Sequence, residues 1–194
     1  MFSNLINNLF FGFDYSIMSI IHNASEYAKP ILTSFAKIFE IAGNKGILFF
    51  IIAIFLIITK IEKKLGITIL ITLLIASFLG VFLKEIVGRP RPFNSDVEDF
   101  IDWWTFVGSN YKSSFSFPSG HVTMLSAYMM SILIYNKRIS TIIFMIIFVV
   151  LMSASRVYLM VHYPSDCIAG FLTGVISAIM GLIISKYLFK KIKF

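Results

Sequence analysis

Residues 66–83 read GITILITLLIASFLGVFL, a run of 18 positions without one charged side chain. A helix needs about 20 mainly apolar residues to cross the hydrocarbon core of a bilayer, so this run predicts a membrane span. Outward from it, four further stretches share the pattern: 46–59 (GILFFIIAIFLIIT), 119–135, 139–155 and 167–185. The runs 46–59 and 119–135 are short and are expected to extend into flanking residues. Lipid offers no partner for backbone N–H and C=O groups, so all five are expected to be helical.

Composition agrees. Of 194 residues, 58% are hydrophobic and only 14% charged, and mean hydropathy is +0.86. A soluble domain carries roughly 45–50% apolar and about 25% charged residues, so one packed core cannot absorb this chain. Disorder, collagen-like repeats and a disulfide scaffold are excluded, the last because Cys167 is the only cysteine. The net charge of +7 would suggest nucleic acid in a soluble protein. Here it is read by position along the membrane, and no nucleic-acid partner is expected. The first Lys or Arg is Lys29, so the N-terminus lacks the basic region of a cleavable signal peptide.

The first 45 residues are less apolar. Asn7, Asn8 and Asp14 interrupt 5–21, and Glu26, Lys29, Lys37 and Glu40 interrupt 25–43. Charges near mid-bilayer cost roughly 2.5–3.5 kcal/mol each, so 1–45 is expected to form amphipathic helices, interfacial or marginally spanning. Residues 46–194 are expected to be the bundle that carries the chemistry. The fold class is thus all-α: a polytopic membrane bundle of five strong spans plus one marginal N-terminal helix, six helices in all.

Lys60, Lys63 and Lys64 fill one loop, Lys137 and Arg138 another, and Lys186, Lys190, Lys191 and Lys193 crowd the C-terminus. With five alternating spans these fall on one side, which the positive-inside rule makes cytoplasmic. The loops 84–118 and 156–166 are then expected outside the cytoplasmic membrane. Trp103 and Trp104 are expected to anchor at the interface.

Polar residues gather at that outer side in three clusters. Lys84-Glu-Ile-Val-Gly-Arg89-Pro-Arg91-Pro92 closes the span 66–83, Pro118-Ser119-Gly120-His121 opens the span 119–135, and Ser155-Arg156 with His162-Tyr-Pro-Ser-Asp166 bridges the last two. Lys84 and the arginines suit a phosphate clamp, Arg as a planar fork and Lys as a point charge; headgroup snorkelling is the plainer alternative. Pro118–His121 combines a helix start, whose free N–H groups attract anions, with a glycine that allows close approach; Ser119 as an ordinary helix cap is the alternative. A carboxylate at Asp166 bonded to one imidazole nitrogen of His162 would leave the other as nucleophile or base. The alternatives are a first-turn acid at Asp166 and an interfacial ring at His162. A zinc site from His121, His162 and Asp166 is a further alternative, opposed by the neighbouring Lys84, Arg91 and Arg156, which repel a cation and favour an anion.

These clusters resemble the three-part signature of the type-2 phosphatidic acid phosphatase family. Lys84, six residues, then Arg91-Pro92 is similar to its first motif; Pro118–His121 to the second; Ser155-Arg156, five residues, His162, three residues, Asp166 to the third. All three, four and four specified positions agree. The resemblance implies a lipid phosphatase that needs no metal or other cofactor and works at the outer membrane face. It implies His162 as the nucleophile that forms a phosphohistidine, Asp166 as its orienting carboxylate, and His121 as the acid for the leaving oxygen. Lys84, Arg91, Ser119, Gly120, Arg156 and Ser155 would hold the phosphoryl oxygens. The expected partner is a lipid phosphate or pyrophosphate in the bilayer, undecaprenyl pyrophosphate first; phosphatidylglycerophosphate and phosphatidic acid are the alternatives. A membrane protein that binds or transports an anion without chemistry is the reading from another class.

Overall fold

The computed structural model describes residues 2–192; Lys193, one of the C-terminal cations above, lies outside the described residues. The chain forms α1 (Phe2–Ser25), α2 (Lys29–Ala42), α3 (Ile47–Thr59), α4 (Lys63–Val87), α5 (Glu98–Phe106), α6 (Gly120–Tyr135), α7 (Ile139–Tyr158) and α8 (Pro164–Ile192). No strand occurs among the described residues. The runs Lys29–Thr59, Lys63–Asn94, Ile139–Tyr158 and Pro164–Lys191 are long and apolar enough to cross a membrane, and Gly120–Tyr135 is a shorter apolar helix. Large side chains such as Phe55, Leu74, Phe78, Ile143, Phe144 and Ile183 are exposed along them. In water such a surface would drive aggregation, whereas lipid solvates it. The chain is an all-helical, multi-pass membrane protein.

α6 does not lengthen as the sequence suggested, and α3 does so only by joining α2 in the run Lys29–Thr59. At 1.5 Å per residue α3 and α6 are only about 20 and 24 Å long. Backbone turns bracket them: Gly46 (φ 67) and Lys60 (φ 59) are left-handed at the two ends of α3. Ser119 is extended before α6, and Asn136 leaves helical geometry after it.

The bundle is centred on α4, α6 and α8, which pack on one another, with α3 against α4 and α7 against α6. Lipid supplies no hydrophobic drive between helices, so close approach of small residues carries the packing. A side chain at Gly174 would meet the Thr123 carbonyl at 2.7 Å, and one at Gly181 would meet the Cα of Thr72 at 2.9 Å. Thr68 donates to Ser185 at 3.0 Å across the same α4–α8 seam. Gly181→Ala is therefore expected to destabilise the fold by about 1–3 kcal/mol, the usual cost of overpacking. Thermal unfolding in detergent measures this as a lowered midpoint.

α1 and α2 meet the bundle at the end where α4 finishes and α6 and α8 begin. Asn7 of α1 accepts from Arg89, Tyr15 donates to Asp99, and His22 stacks on Trp103 with centroids 5.0 Å apart. Thr33 of α2 bonds Tyr158, and the Ala36 carbonyl accepts from Arg156. Trp104 stacks on Phe93 and donates to the Asn110 carbonyl. Both tryptophans are thus half-buried in a polar and aromatic cap over that end of the bundle.

Candidate active site

The turn after α4 depends on Gly88, left-handed at φ 61, whose N–H closes on the Lys84 carbonyl. A left-handed residue there suits glycine, and it reverses the chain ahead of Pro90 and Pro92. Lys84 and Arg91 therefore lie on either side of a break in helical geometry, and both line one cavity. The following loop is pinned to this turn by the Ser116 N–H donating to the Arg89 carbonyl at 2.8 Å.

The second cluster is tied to the third through the Ser119 N–H, which donates to the Asp166 carbonyl at 3.0 Å. Ser119 occupies the cap position of α6, yet its hydroxyl makes no cap bond. Its Oγ is buried and meets no hydrogen-bond partner of ordinary geometry, the Cys167 thiol lying beside it. At the third cluster α8 starts at Pro164, three residues before the predicted span, so Asp166 lies in its first turn. Its carboxylate reaches back to the Tyr163 N–H at 3.0 Å, a capping-box contact.

The side chains assemble around His162, which is 3% exposed. Its Nδ1 faces Asp166 Oδ2 at 3.6 Å, and its Nε2 faces Arg91 Nη1 at 3.4 Å. Nδ1 makes no hydrogen bond at this separation, but a carboxylate on its side and a guanidinium N–H on the other favour the tautomer with the proton on Nδ1 and the lone pair on Nε2. Burial first, then the charges of Arg91, Lys84, His121 and Arg156, push the His162 pKa well below the ordinary imidazole range. The ring is accordingly neutral near pH 7.

The cations are held from behind. Arg91 donates from Nε to the Ser114 carbonyl at 2.7 Å and from Nη1 to the Val161 carbonyl at 2.5 Å. Lys84 Nζ donates to the Phe115 carbonyl at 2.6 Å. Arg156 is fully buried; Nη2 donates to the Ala36 carbonyl at 3.1 Å and Nη1 has no protein partner. The Ser155 hydroxyl is occupied, donating to the Met152 carbonyl and accepting from Arg156 Nε. His121 Nε2 lies 3.1 Å from the Glu40 carbonyl of α2, and a side chain at Gly43 would meet His121 Cδ2 at 2.6 Å. The end of α2 thus sets the ring's position. Lys84, Arg91, Gly120 and His121 line one cavity of about 510 Å³, whose apolar wall is Ala76, Gly80 and Val81 of α4 with Met124 of α6.

The structure also brings in Asp14 and Ser116, to which the sequence reading gave no role, and turns Arg89 from the expected phosphate clamp to Asp166. Asp166 accepts from Arg89 Nη1 at 2.7 Å and from the Ser116 hydroxyl. Arg89 in turn is bonded to Asp14 of α1 at 2.8 Å. A charge within an apolar stretch is by itself a functional signal, and Asp14 carried it. As for the zinc alternative, no three His, Cys, Asp or Glu side chains among the described residues are grouped to hold a metal. His121 turns to Glu40, and Asp166 is engaged by three donors.

The PAP2 superfamily profile matches residues 65–191, and the chain belongs to this superfamily. It is 38% identical over 119 residues to an undecaprenyl-diphosphatase of Sulfolobus acidocaldarius, covering 61% of this chain and 54% of that one. The chain spans about half the length of the curated relatives it matches. Its fold is similar to that of LpxE from Aquifex aeolicus, with a TM-score of 0.70 at 24% identity over 87% of this chain and 93% of the other. A transmembrane PAP2-type phosphatidylglycerolphosphate phosphatase from Bacillus subtilis gives a TM-score of 0.62 at 21% identity over 96% and 98% of the two chains.

Proposed function

We propose that this protein is a lipid phosphatase that hydrolyses a phosphate or diphosphate ester of a membrane lipid through a phosphohistidine at His162, without a metal. The observation that carries this reading is the buried His162 ring, with Asp166 Oδ2 3.6 Å from Nδ1 and Arg91 Nη1 3.4 Å from Nε2. Simple anion binding or transport needs the cations but not the positioned carboxylate–imidazole pair.

In the first step the Nε2 lone pair forms a bond to phosphorus, and the bond from phosphorus to the leaving oxygen breaks. That oxygen takes the Nδ1 proton of His121, which must be an imidazolium once the phosphate anion is bound; its Nε2–H stays on the Glu40 carbonyl and the ring is left neutral. In the second step His121 takes a proton from water, the water oxygen bonds to phosphorus, and the P–N bond breaks to return neutral His162 and free phosphate. Lys84, Arg91, Arg156 Nη1, Ser119 Oγ and the backbone at Gly120 offset charge on the phosphoryl oxygens. Ser155 contributes by holding Arg156 in place. The cavity supports a lipid substrate: Lys84, Arg91 and His121 form its polar end, with His162 buried behind Arg91, and its apolar wall suits the first carbons of the chain. Undecaprenyl pyrophosphate is the leading substrate, supported by the likeness to the Sulfolobus acidocaldarius protein.

Five crossings are proposed, the run Lys29–Thr59 with α4, α6, α7 and α8, and α1 lying across the site end. By the positive-inside rule that end faces away from the cytoplasm, in the cytoplasmic membrane.

The test is phosphate release by purified protein in detergent with EDTA. The substrates are undecaprenyl pyrophosphate, phosphatidylglycerophosphate, phosphatidic acid and a soluble phosphate ester. Turnover in chelator is expected, and kcat/KM ranks the substrates. No turnover, with anion binding retained, favours the binding or transport protein instead.

The lowered His162 pKa also sets a pH profile. His162 attacks only when neutral, so its protonation removes activity as pH falls through a value well below 6.5. The acid limb of kcat/KM is expected there, and not at the ordinary imidazole pKa.

A further inference from the structure

Arg89 is 1% exposed, and it lies between two carboxylates, Asp14 at 2% and Asp166 at 0%. Its Nη1 donates to Asp166 Oδ1 at 2.7 Å and to Ser165 Oγ at 2.8 Å; its Nη2 donates to Asp14 Oδ2 at 2.8 Å; its Nε donates to Asn7 Oδ1 at 2.8 Å. Asp14 does more than balance charge. Its Oδ1 accepts the Ser165 N–H at 2.8 Å and its Oδ2 the Ser165 hydroxyl at 2.7 Å. Ser165 is in the first turn of α8, so a residue of α1 satisfies an N–H at the start of the helix that carries Asp166. The guanidinium also lies 3.8 Å from the centre of the Tyr163 ring, which closes its remaining face.

This group is not part of the phosphate clamp. Arg89 does not line the cavity that holds Lys84, Arg91 and His121. It lines a different one, of about 400 Å³, together with Asn7, Asp14 and Tyr163. A buried guanidinium and two buried carboxylates are costly to desolvate, and an apolar replacement of similar volume would often be no less stable. Stability alone is therefore a weak reason for the network. Its geometry has a specific consequence: Arg89 takes Oδ1 of Asp166, while Ser116 and the Tyr163 N–H take Oδ2, the oxygen that faces His162 Nδ1.

We propose that Asp14 and Arg89 are a positioning pair that fixes the carboxylate of Asp166 against His162 Nδ1, which makes α1 a working part of the catalytic centre. This rests on the proposed role of His162. Without Arg89, the carboxylates of Asp14 and Asp166 repel each other across Ser165, and Asp166 turns from its place against His162. Without Asp14, Arg89 keeps one carboxylate but loses the anchor that sets its direction, and the first turn of α8 loses its bond.

The experiment uses the full chain in detergent and two readouts. The first is steady-state hydrolysis by Asp14→Asn, Arg89→Gln and Arg89→Lys, each also made in the Asp166→Asn background. Partners behind a reacting imidazole cost on the order of 10–100-fold when removed, and residues acting through one group are non-additive. The expected result is a fall of that size in kcat with KM unchanged, partial recovery in Arg89→Lys, and almost no further loss once Asp166 is Asn. The second readout needs no substrate: nitrogen NMR of protein labelled in its histidines, only three in number, with His162 assigned from His162→Ala. Wild type is expected to hold the Nδ1–H tautomer, and Asp14→Asn and Arg89→Gln a mixture.

An unchanged His162 tautomer in both variants overturns the proposal. So does a rise in KM with kcat intact, which would make Arg89 a substrate ligand, or full additivity with Asp166→Asn. If Arg89→Gln yields no folded protein, Asp14→Asn and Arg89→Lys decide by the same two readouts. If wild type hydrolyses none of the substrates while the tautomer still shifts in the variants, the phosphatase reading falls and the positioning pair stands.

Discussion

Alanine at position 162 is expected to lower kcat by on the order of 10³-fold or more on every substrate that the wild-type protein hydrolyses. On the proposed mechanism the substitution removes the group that bonds to phosphorus, so improved binding of substrate cannot compensate. The cations that hold the phosphate have their own supports: Arg91 on the Ser114 and Val161 carbonyls, Lys84 on the Phe115 carbonyl, Arg156 on the Ala36 carbonyl. Anion binding by His162→Ala should thus stay close to wild type. The split between lost turnover and retained binding, measured by phosphate release and by competition with inorganic phosphate, separates a nucleophile from a clamp residue. If His162→Ala turns over at the wild-type rate, the ring is not the nucleophile.

Asp166→Asn is expected to cost on the order of 10³–10⁴-fold in kcat, the scale seen when an amide replaces the carboxylate beside a reacting imidazole. Shape is conserved, but the amide presents an N–H where an acceptor is required. Arg89, Ser116 and the Tyr163 N–H all donate to this side chain, so the amide nitrogen must face one of them or His162. The ring then loses the preference that keeps its lone pair on Nε2. Arg89 retains Asp14 as its counterion, so the fold is expected to survive. Thermal unfolding beside the kinetic assay checks this: a large loss of kcat with the midpoint nearly kept is the predicted pattern.

The bundle was legible because lipid solvent makes the pattern one-dimensional. An uncharged run of sufficient length has few structural options, and 66–83, 139–155 and 167–185 each lie within a helix. Lengths were less legible at 46–59 and 119–135, since hydropathy does not report the left-handed turns at Gly46 and Lys60 or the extended Ser119 that limit α3 and α6. The candidate site was legible where residues cluster within a few positions, as at Pro118–His121 and His162–Asp166. Long-range partners were not. Asp14 is 152 residues from Asp166 (166 − 14), and both are joined through Arg89. In the sequence Asp14 interrupts an apolar stretch, which reads as amphipathic surface. In the fold it is buried and paired. The Glu40 carbonyl that holds His121 could not be found from side-chain patterns, because it is backbone.

The supports of His162 also explain why the cap formed by α1 and α2 matters to the chemistry. Arg156 is held by α2, His121 is set by the end of α2, and Arg89 is anchored by α1. A site at a helix–headgroup boundary would otherwise be wet. Covering it keeps His162 desolvated and the surrounding cations effective at short range.

Trapping the covalent intermediate tests the central claim most directly. Wild-type protein mixed with lipid substrate labelled with ³²P at the scissile phosphate, then quenched within a turnover, should carry label that survives alkali and is lost in acid. Peptide mapping should place it on His162, and His162→Ala should carry none. Turnover by the wild-type protein without label at His162, or label on another residue, would contradict the account.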